Sequence, residues 1–448
     1  MILHIDMNAY FATLEQQANP FLQGRPILVC GKGSGERTVV ATASYEAKRL
    51  GVKTGMAVWE AKKLVPKAMI VAADYDKYLD TTRRLGEIFE HHTPEVEFFS
   101  IDEAFLKITN QNPNVIPNNP ESELGTIREA IRVSLRIKEQ IREELGQWVT
   151  CSIGIAENKL LAKIASEFKK PDGLTLVLPN TNVLSGIHFG SGYQVTHRYL
   201  YQQIKLDDIP GIGRRILRRL LKLGITTPTI LGATPLPILV KEFGDHWGHL
   251  LKNLGKGIDH SPIVRNELMP GEKSFSHSYT LPKEIYTFED AKKVLLELCE
   301  MVGRRMRKKG FSGRTIGVFM RFTDMSAVFE RKTFKEYTND GLQIYRTAES
   351  LLYQSWVFRK RVVKTGPAFT KPIRQVGIWV TNLVHEHNLP LPLFEEDRRI
   401  LKAIKAVDQI NDKHGEFTIM RGPILAVYQK IQKIPDGRNR RQFMLSSD

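Results

Sequence analysis

Two apolar, strand-like runs in this chain end on acid. "ILHI" at residues 2–5 runs straight into Asp6, and "EFFSI" at 97–101 runs into the adjacent pair Asp102 and Glu103. Burying charge among apolar neighbours is costly unless a cation compensates. Taken singly, each acid has a plain structural explanation, Asp6 as the cap of the helix that follows and the 102–103 pair as the turn of a hairpin. Taken together, they predict strands whose ends meet. Three carboxylates gathered on one sheet make a hard-oxygen site suited to Mg²⁺. Two such ions about 4 Å apart can activate an attacking oxygen and steady a leaving one in phosphoryl transfer.

The surrounding pattern is α/β. Short apolar runs ("ILHI", "PILVC", "TVVAT", "CSIGIA") alternate through residues 1–178 with helical segments such as "MAVWEAKKLV" and "TIREAIRVSLRIKEQIREEL". A Pro/Asn-rich loop at 109–126 interrupts them. Residues 205–255 read as short helices punctuated by Gly and Pro, and 261–272 as an extended, basic connection. From 273 to 385 the order β-α-β-α-β predicts a small sheet with helices on one face. Beyond 385 the chain changes to a tail with one helix and a basic end.

With 448 residues, 42% of them hydrophobic, the chain can build two to four domains. Its formal net charge of +16 points to a polyanionic partner, nucleic acid before an anionic membrane. Cys30, Cys151 and Cys299 offer neither a disulfide framework nor zinc spacing. There is no signal-like leader and no apolar run of about 18 residues, so a cytoplasmic protein without a membrane span is expected.

If Asp6 binds a metal, the amides of "MNAYF" open a helix, and a helix N-terminus suits a triphosphate. Tyr10 and Phe11 then lie beside the sugar and phosphates, where a flat ring leaves no room for a ribose 2′-hydroxyl. In ordinary packing both rings would be core. Thr42, Tyr45 and Lys48 bring hydroxyl, phenol and ammonium together at near-helical spacing, a set suited to phosphate oxygens or simply to a surface helix. Lys170, just before Pro171, can neutralise a triphosphate or complement a helix dipole.

"HIDMNAYFA", "TASYEAKRLGVKTGM", "SIDEAF", "CSIGIAENKLLAKIASEFKKPDG" and "DIPGIG" occur in the order found in Y-family DNA polymerases. The chain resembles the bacterial DNA polymerase IV branch over most of residues 1–385. The resemblance implies a right-hand α/β (α+β) fold. Its palm would be 1–10 and 75–178, its small fingers 11–74, and its thumb, with a helix-hairpin-helix, 179–260. A linker at 261–272, a little finger at 273–385 and a tail at 386–448 would follow. It implies Asp6, Asp102, Glu103 and the Met7 carbonyl as ligands of two Mg²⁺ ions, with Mn²⁺ able to substitute. Phe11 becomes the sugar gate, and Thr42, Tyr45 and Lys170 match triphosphate contacts. Lys48 stands where the family more often has Arg, which keeps a cation and loses the planar fork.

In "DDIPGIGRRILRRLLKLGI", Gly211 and Gly213 allow a tight turn whose amides face a DNA phosphate, with Arg214 and Arg215 behind. In the little finger, Arg314 and Thr315 start a strand and are expected on template phosphates, with Lys308 and Lys309 nearby. "LPLPLFEED" at 389–397 resembles a clamp-binding peptide anchored by Leu391, Leu393 and Phe394, with Pro390 in place of the usual leading glutamine. The expected function is a monomeric translesion-type polymerase that adds dNMP from dNTPs to a primer 3′-OH on primer–template DNA. Its fidelity should be low, because no span is left for a proofreading nuclease. A noncatalytic repair scaffold on DNA and clamp is the alternative, and the presence of all three acids argues against it. A nucleotidyl cyclase would share paired acids but not the basic thumb.

Overall fold

The computed structural model describes residues 1–31, 38–109, 120–179, 192–265, 271–362, 368–390, 394–415 and 417–425. They group into two units, one built on residues 1–31 and 39–265 and the other on 271–425.

The first unit holds strands β1 (Ile2–Met7), β2 (Ile27–Cys30), β3 (Val40–Ala43), β4 (Met69–Ala72), β5 (Val96–Phe98), β6 (Glu103–Lys107), β7 (Cys151–Ala156), β8 (Leu174–Leu178) and β9 (Tyr193–Thr196). Six of them make one sheet in the order β5-β6-β1-β7-β8-β9. All six residues of β1 are buried, the mark of a central strand covered on both faces. Leu3, Ile5 and Met7 pack with Leu85 and Ile88 of the helix Tyr75–His92 and with Ile137 and Ile141 of the helix Pro120–Leu145. By alternation, His4 and Asp6 face the other way, under the helix Lys159–Phe168. Gly154 of β7, opposite His4, makes that helix possible: a Cβ there would lie 2.0 Å from the Ala162 carbonyl oxygen.

The register places the acids. β1 and β6 run antiparallel with Asp6 directly opposite Glu103, and the Met7 amide donates to the Asp102 carbonyl at 2.9 Å. A smaller sheet, β3-β2-β4, closes over its own core of Leu28, Val40, Ala47 and Val58. The sheet does not stop at 178, where the palm was expected to end. β9 adds a parallel sixth strand next to β8, ahead of the short helices Arg214–Lys222, Pro228–Ala233, Leu236–Phe243 and Asp245–Lys256. The sequence hides β9 because it is short and itself half polar. Among the described residues no helix is long and apolar enough to cross a membrane.

The second unit holds β10 (Ser274–Thr287), β11 (Phe311–Phe322), β12 (Ala327–Thr338) and β13 (Ala368–His385), an antiparallel sheet in the order β10-β13-β11-β12. The helices Phe288–Lys308 and Gly341–Val362 cover one face, packing Val294, Leu298 and Ile344 on Ile316, Val318 and Ile378. The order is β-α-β-β-α-β, one strand more than the sequence predicts. The added strand, β12, is an edge strand in which charged residues interrupt the apolar pattern after Phe329. The tail contributes the helix Glu395–His414, whose Asp408 receives Arg307 at 2.6 and 2.9 Å and whose Asp412 receives Arg304 at 2.8 Å.

Candidate active site

Asp6 is not a helix cap. The helix after β1 is Tyr10–Ala18 and its N-cap is Ala9, held in the left-handed region at φ 45° with no side-chain cap. Asp6 stays within the strand end, 6% exposed, and its Oδ1 lies 2.7 Å from the Lys170 ammonium. Burial pushes its carboxyl up to about 7 although Lys170 pulls the other way. Burial also raises Asp102, whose carboxylate accepts from Ser100. Burial acts on Glu103 in the same sense, but His4 and Lys163 outweigh it and hold Glu103 down at about 2. Lys163 donates to Glu103 Oε2, and His4 Nε2 stands 3.5 Å from the same oxygen.

Among the described residues no three carboxylate, imidazole or thiol groups converge as a closed cation cage. Each acid leans on its own partner, and two of those partners are lysines. The donor set still has the chemistry of a hard-cation site: carboxylates from adjoining strand ends, two of them disfavoured as anions by burial and all three within reach of positive charge.

Next to the acids, the first turn of Tyr10–Ala18 keeps its amides free of a side-chain cap, as an anion site requires. Phe11 is half-buried and stacks on Tyr78, with ring centroids 4.2 Å apart and planes 10° from parallel. Tyr75 meets Phe11 edge-on, and Tyr78 is anchored by a 2.7 Å bond to Glu15. Tyr10 is different. It is 2% exposed, and its hydroxyl donates to the Tyr78 carbonyl at 2.9 Å. Its side chain belongs to the core, so the expectation that its ring touches a nucleotide is corrected. Adjacent positions on a helix point about 100° apart, and only Phe11 points outward.

Thr42 ends up on β3, and the short helix Tyr45–Arg49 follows from a Ser44 cap. The Tyr45 hydroxyl donates to Asn8 Oδ1 at 3.3 Å, and the Lys48 ammonium lies 4.9 Å from the Tyr45 ring centroid. Burial lowers Lys48, and the Lys170 charge lowers it further. Asn8 is also fixed by Ser152 at 2.9 Å and by its own bond to Thr150 at 3.0 Å. Sequence reasoning missed Lys163, His4 and Asn8. Lys163 had a signal: Lys159, Lys163, Glu167 and Lys170 recur at helical spacing.

The two parts of the chain match two family models, the impB/mucB/samB family over residues 5–167 and its C-terminal domain over 272–393. A DNA polymerase IV of Pelotomaculum thermopropionicum is 34% identical over 422 residues, 94% of each chain. One of Moorella thermoacetica is 35% identical over 421 residues, 94% of this chain and 95% of that one. A solved Y-family DNA polymerase chimera of Dbh and Dpo4 superposes with a TM-score of 0.67 at 26% identity, covering 86% of this chain and 99% of that chain. The chain belongs to the Y family of DNA polymerases. An insertion ternary complex of Dbh DNA polymerase also matches, with a TM-score of 0.52 at 26% identity and the same coverage. The protein is a DNA-directed DNA polymerase.

The sequence also singles out basic elements away from the acids. Gly211 takes φ +97°, which only glycine adopts readily, and Gly213 caps the helix Arg214–Lys222. Arg214 and Arg215 are exposed at that helix start, and the turn forms a groove with Lys163 and Glu167. In the second unit, Arg314 and Thr315 do not act as a pair, because neighbours on a strand face opposite sides. Thr315 is 5% exposed, with its hydroxyl bonded to Thr333 at 2.9 Å and Asn382 at 2.8 Å. Its expected phosphate contact is therefore corrected. Arg314 is half-buried over the Tyr337 ring and lines a cavity of about 1200 Å³ beside the tail helix. The helix-free face of that sheet carries what the sequence did not single out. Ser276 and Ser278 are exposed on it, Phe319 stacks on Phe329 at 5.5 Å, and Arg321 and Arg331 flank them. Of the clamp-peptide residues, Leu391 and Leu393 lie outside the described residues, and Phe394 is 72% exposed.

Proposed function

We propose that the polymerase extends a primer 3′-OH by a two-ion mechanism with Asp6, Asp102, Glu103 and the Met7 carbonyl as ligands of Mg²⁺, Mn²⁺ being able to replace it. The observation that carries this reading is the Asp6–Glu103 register, with the Asp102 carbonyl tied to Met7 beside it. When bound, the ions would polarise the 3′-oxygen and the triphosphate oxygens. The chain does the rest. The amides opening the helix Tyr10–Ala18 receive phosphate oxygens, and Thr42, Tyr45, Lys48 and Lys170 neutralise the triphosphate. Lys170 then exchanges Asp6 for phosphate. Phe11, stiffened by Tyr78, excludes a 2′-hydroxyl.

In this reading residues 1–10 and 75–178, with the strand at 193–196, form the palm. Residues 11–74 form the fingers and the short helices to 260 the thumb. The second unit is the little finger. Gly211, Gly213 and Arg214 hold duplex phosphates, and the tail engages a sliding clamp through Phe394 and its neighbours. The enzyme works as a cytoplasmic monomer of low fidelity without proofreading. The deciding test is primer extension with dNTPs and Mg²⁺. Wild type should extend, and the double variant Asp102→Ala, Glu103→Ala should not. Full extension by that variant would refute the assignment.

A further inference from the structure

We propose that His4 is a positioning residue for Glu103: its imidazole N–H fixes one carboxylate oxygen so that the other is presented to the cation. The inference rests on the reading of Glu103 as a cation ligand. His4 lies two residues before Asp6 on the same face of β1, and its ring is 0% exposed. An aliphatic residue would fill that space without a polar cost. The Phe105 ring packs against it with centroids 4.6 Å apart, which limits its rotation.

The Ser166 hydroxyl and the Glu103 carboxylate together bear on the tautomer. His4 Nδ1 is 2.7 Å from Ser166 Oγ, and that hydroxyl also reaches the Lys163 carbonyl at 2.8 Å. Ser166 has one proton for two acceptors. If it donates to the carbonyl, Nδ1–H donates to Ser166 and the bare Nε2 lone pair faces the Glu103 carboxylate, which is repulsive. If it donates to Nδ1, Nε2 carries the hydrogen and faces Glu103 Oε2 at 3.5 Å. The second arrangement points the Nε2 hydrogen at the carboxylate and removes that repulsion, although at 3.5 Å Nε2 stops short of a hydrogen bond in this structure. In the proposed arrangement a small turn of the Glu103 side chain would bring Oε2 within hydrogen-bond distance of Nε2. Lys163 also donates to Oε2, so both donors gather on one oxygen and leave Oε1 for the cation. Groups that orient a metal ligand typically change affinity by about 10- to 100-fold.

The test measures Mn²⁺ binding calorimetrically on the protein with primer–template ending in a dideoxynucleotide and a matched dNTP, so that no turnover occurs. His4→Phe keeps the ring and removes the N–H, and should weaken Mn²⁺ about tenfold. His4→Gln, which restores an amide N–H near Nε2, should recover most of the affinity. Unchanged affinity in His4→Phe, or an equal loss in His4→Gln, overturns the proposal. Glu103→Gln in the same assay separates the two readings, because wild-type affinity there removes Glu103 from the ligand set altogether. Should His4→Phe not fold, Ser166→Ala replaces it, with a smaller weakening expected and unchanged affinity again fatal to the proposal.

Discussion

The six-stranded sheet of the first unit and the four-stranded sheet of the second are built from the same parts and used in opposite ways. Where the acids lie, helices cover both faces of the first sheet, and β1 is buried at every residue. Polar chemistry can then emerge only at strand ends, where Asp6, Asp102 and Glu103 are. The second sheet has helices on one face only. Its other face carries small hydroxyls on β10, Trp379 on β13, Phe319 and Arg321 on β11, and Phe329 and Arg331 on β12. The glycines there serve the rings: a Cβ on Gly317 would fall 2.1 Å from the Trp379 ring, and one on Gly377 2.1 Å from Phe319. A few buried charges held in fixed geometry suit bond making, and a broad open face suits holding a polymer. In the proposed reading, chemistry and grip fall to separate sheets of this chain.

Substitutions should respect that division, and the largest effect belongs to the acids. Asp6→Asn should lower single-nucleotide incorporation by about 10³-fold or more, the scale of losing transition-state charge stabilisation. DNA affinity measured by fluorescence anisotropy should stay within about twofold, as expected for a group that acts only on the reacting atoms. A comparable loss of DNA binding would break the comparison. Phe11→Ala should come next, with deoxy-over-ribo selectivity in kcat/KM falling at least about tenfold while dNTP incorporation persists. Unchanged selectivity would remove Phe11 from its role.

On the open sheet, Arg321→Ala with Arg331→Ala should weaken DNA binding and reduce the slope of log affinity against log salt by about one unit per lost phosphate contact. Turnover at saturating DNA should not change. A fall in turnover with an unaltered salt slope would assign those arginines to something other than grip.

The smallest effect concerns pH. The folded-state pKa of Asp6 is raised to about 7 from an ordinary 3.8, chiefly by burial. Its ionised form therefore costs stability, a cost that grows as pH rises from about 4 to 7 and is absent below that window. Without divalent cation, Asp6→Asn should melt higher than wild type at pH 8, and the gap should narrow at pH 5. Calorimetry showing the gap widening at pH 5 would reverse the assignment of burial as the dominant cause.

Much of the first sheet could be read from the chain, because β1, β7 and β8 are largely apolar runs. Two apolar runs that end on acid give the expectation that Asp6 and the 102–103 pair meet; the backbone register sets Asp6 opposite Glu103, while among the described residues the acids do not close into a cation cage. β12 could not be read, because an edge strand protected by charge looks like a loop. The burial of Tyr10 and Thr315 was equally hidden. Whether a residue points inward depends on the partner element, and a sequence position does not state its partner. His4 falls in the same class. It looks like one residue of an apolar run until Ser166, on a helix far along the chain, is seen to hold its ring.

The central claim is that the acids at the ends of β1 and β6 share divalent cations during nucleotide addition. Anomalous diffraction from crystals of the polymerase with dideoxy-terminated primer–template, matched dNTP and Mn²⁺ tests it most directly. Two Mn²⁺ peaks about 4 Å apart are expected, bounded by Asp6, Asp102 and Glu103, with Lys170 moved from Asp6 to the triphosphate. Bound nucleotide with no anomalous peak at those carboxylates, and Lys170 still on Asp6, would contradict it.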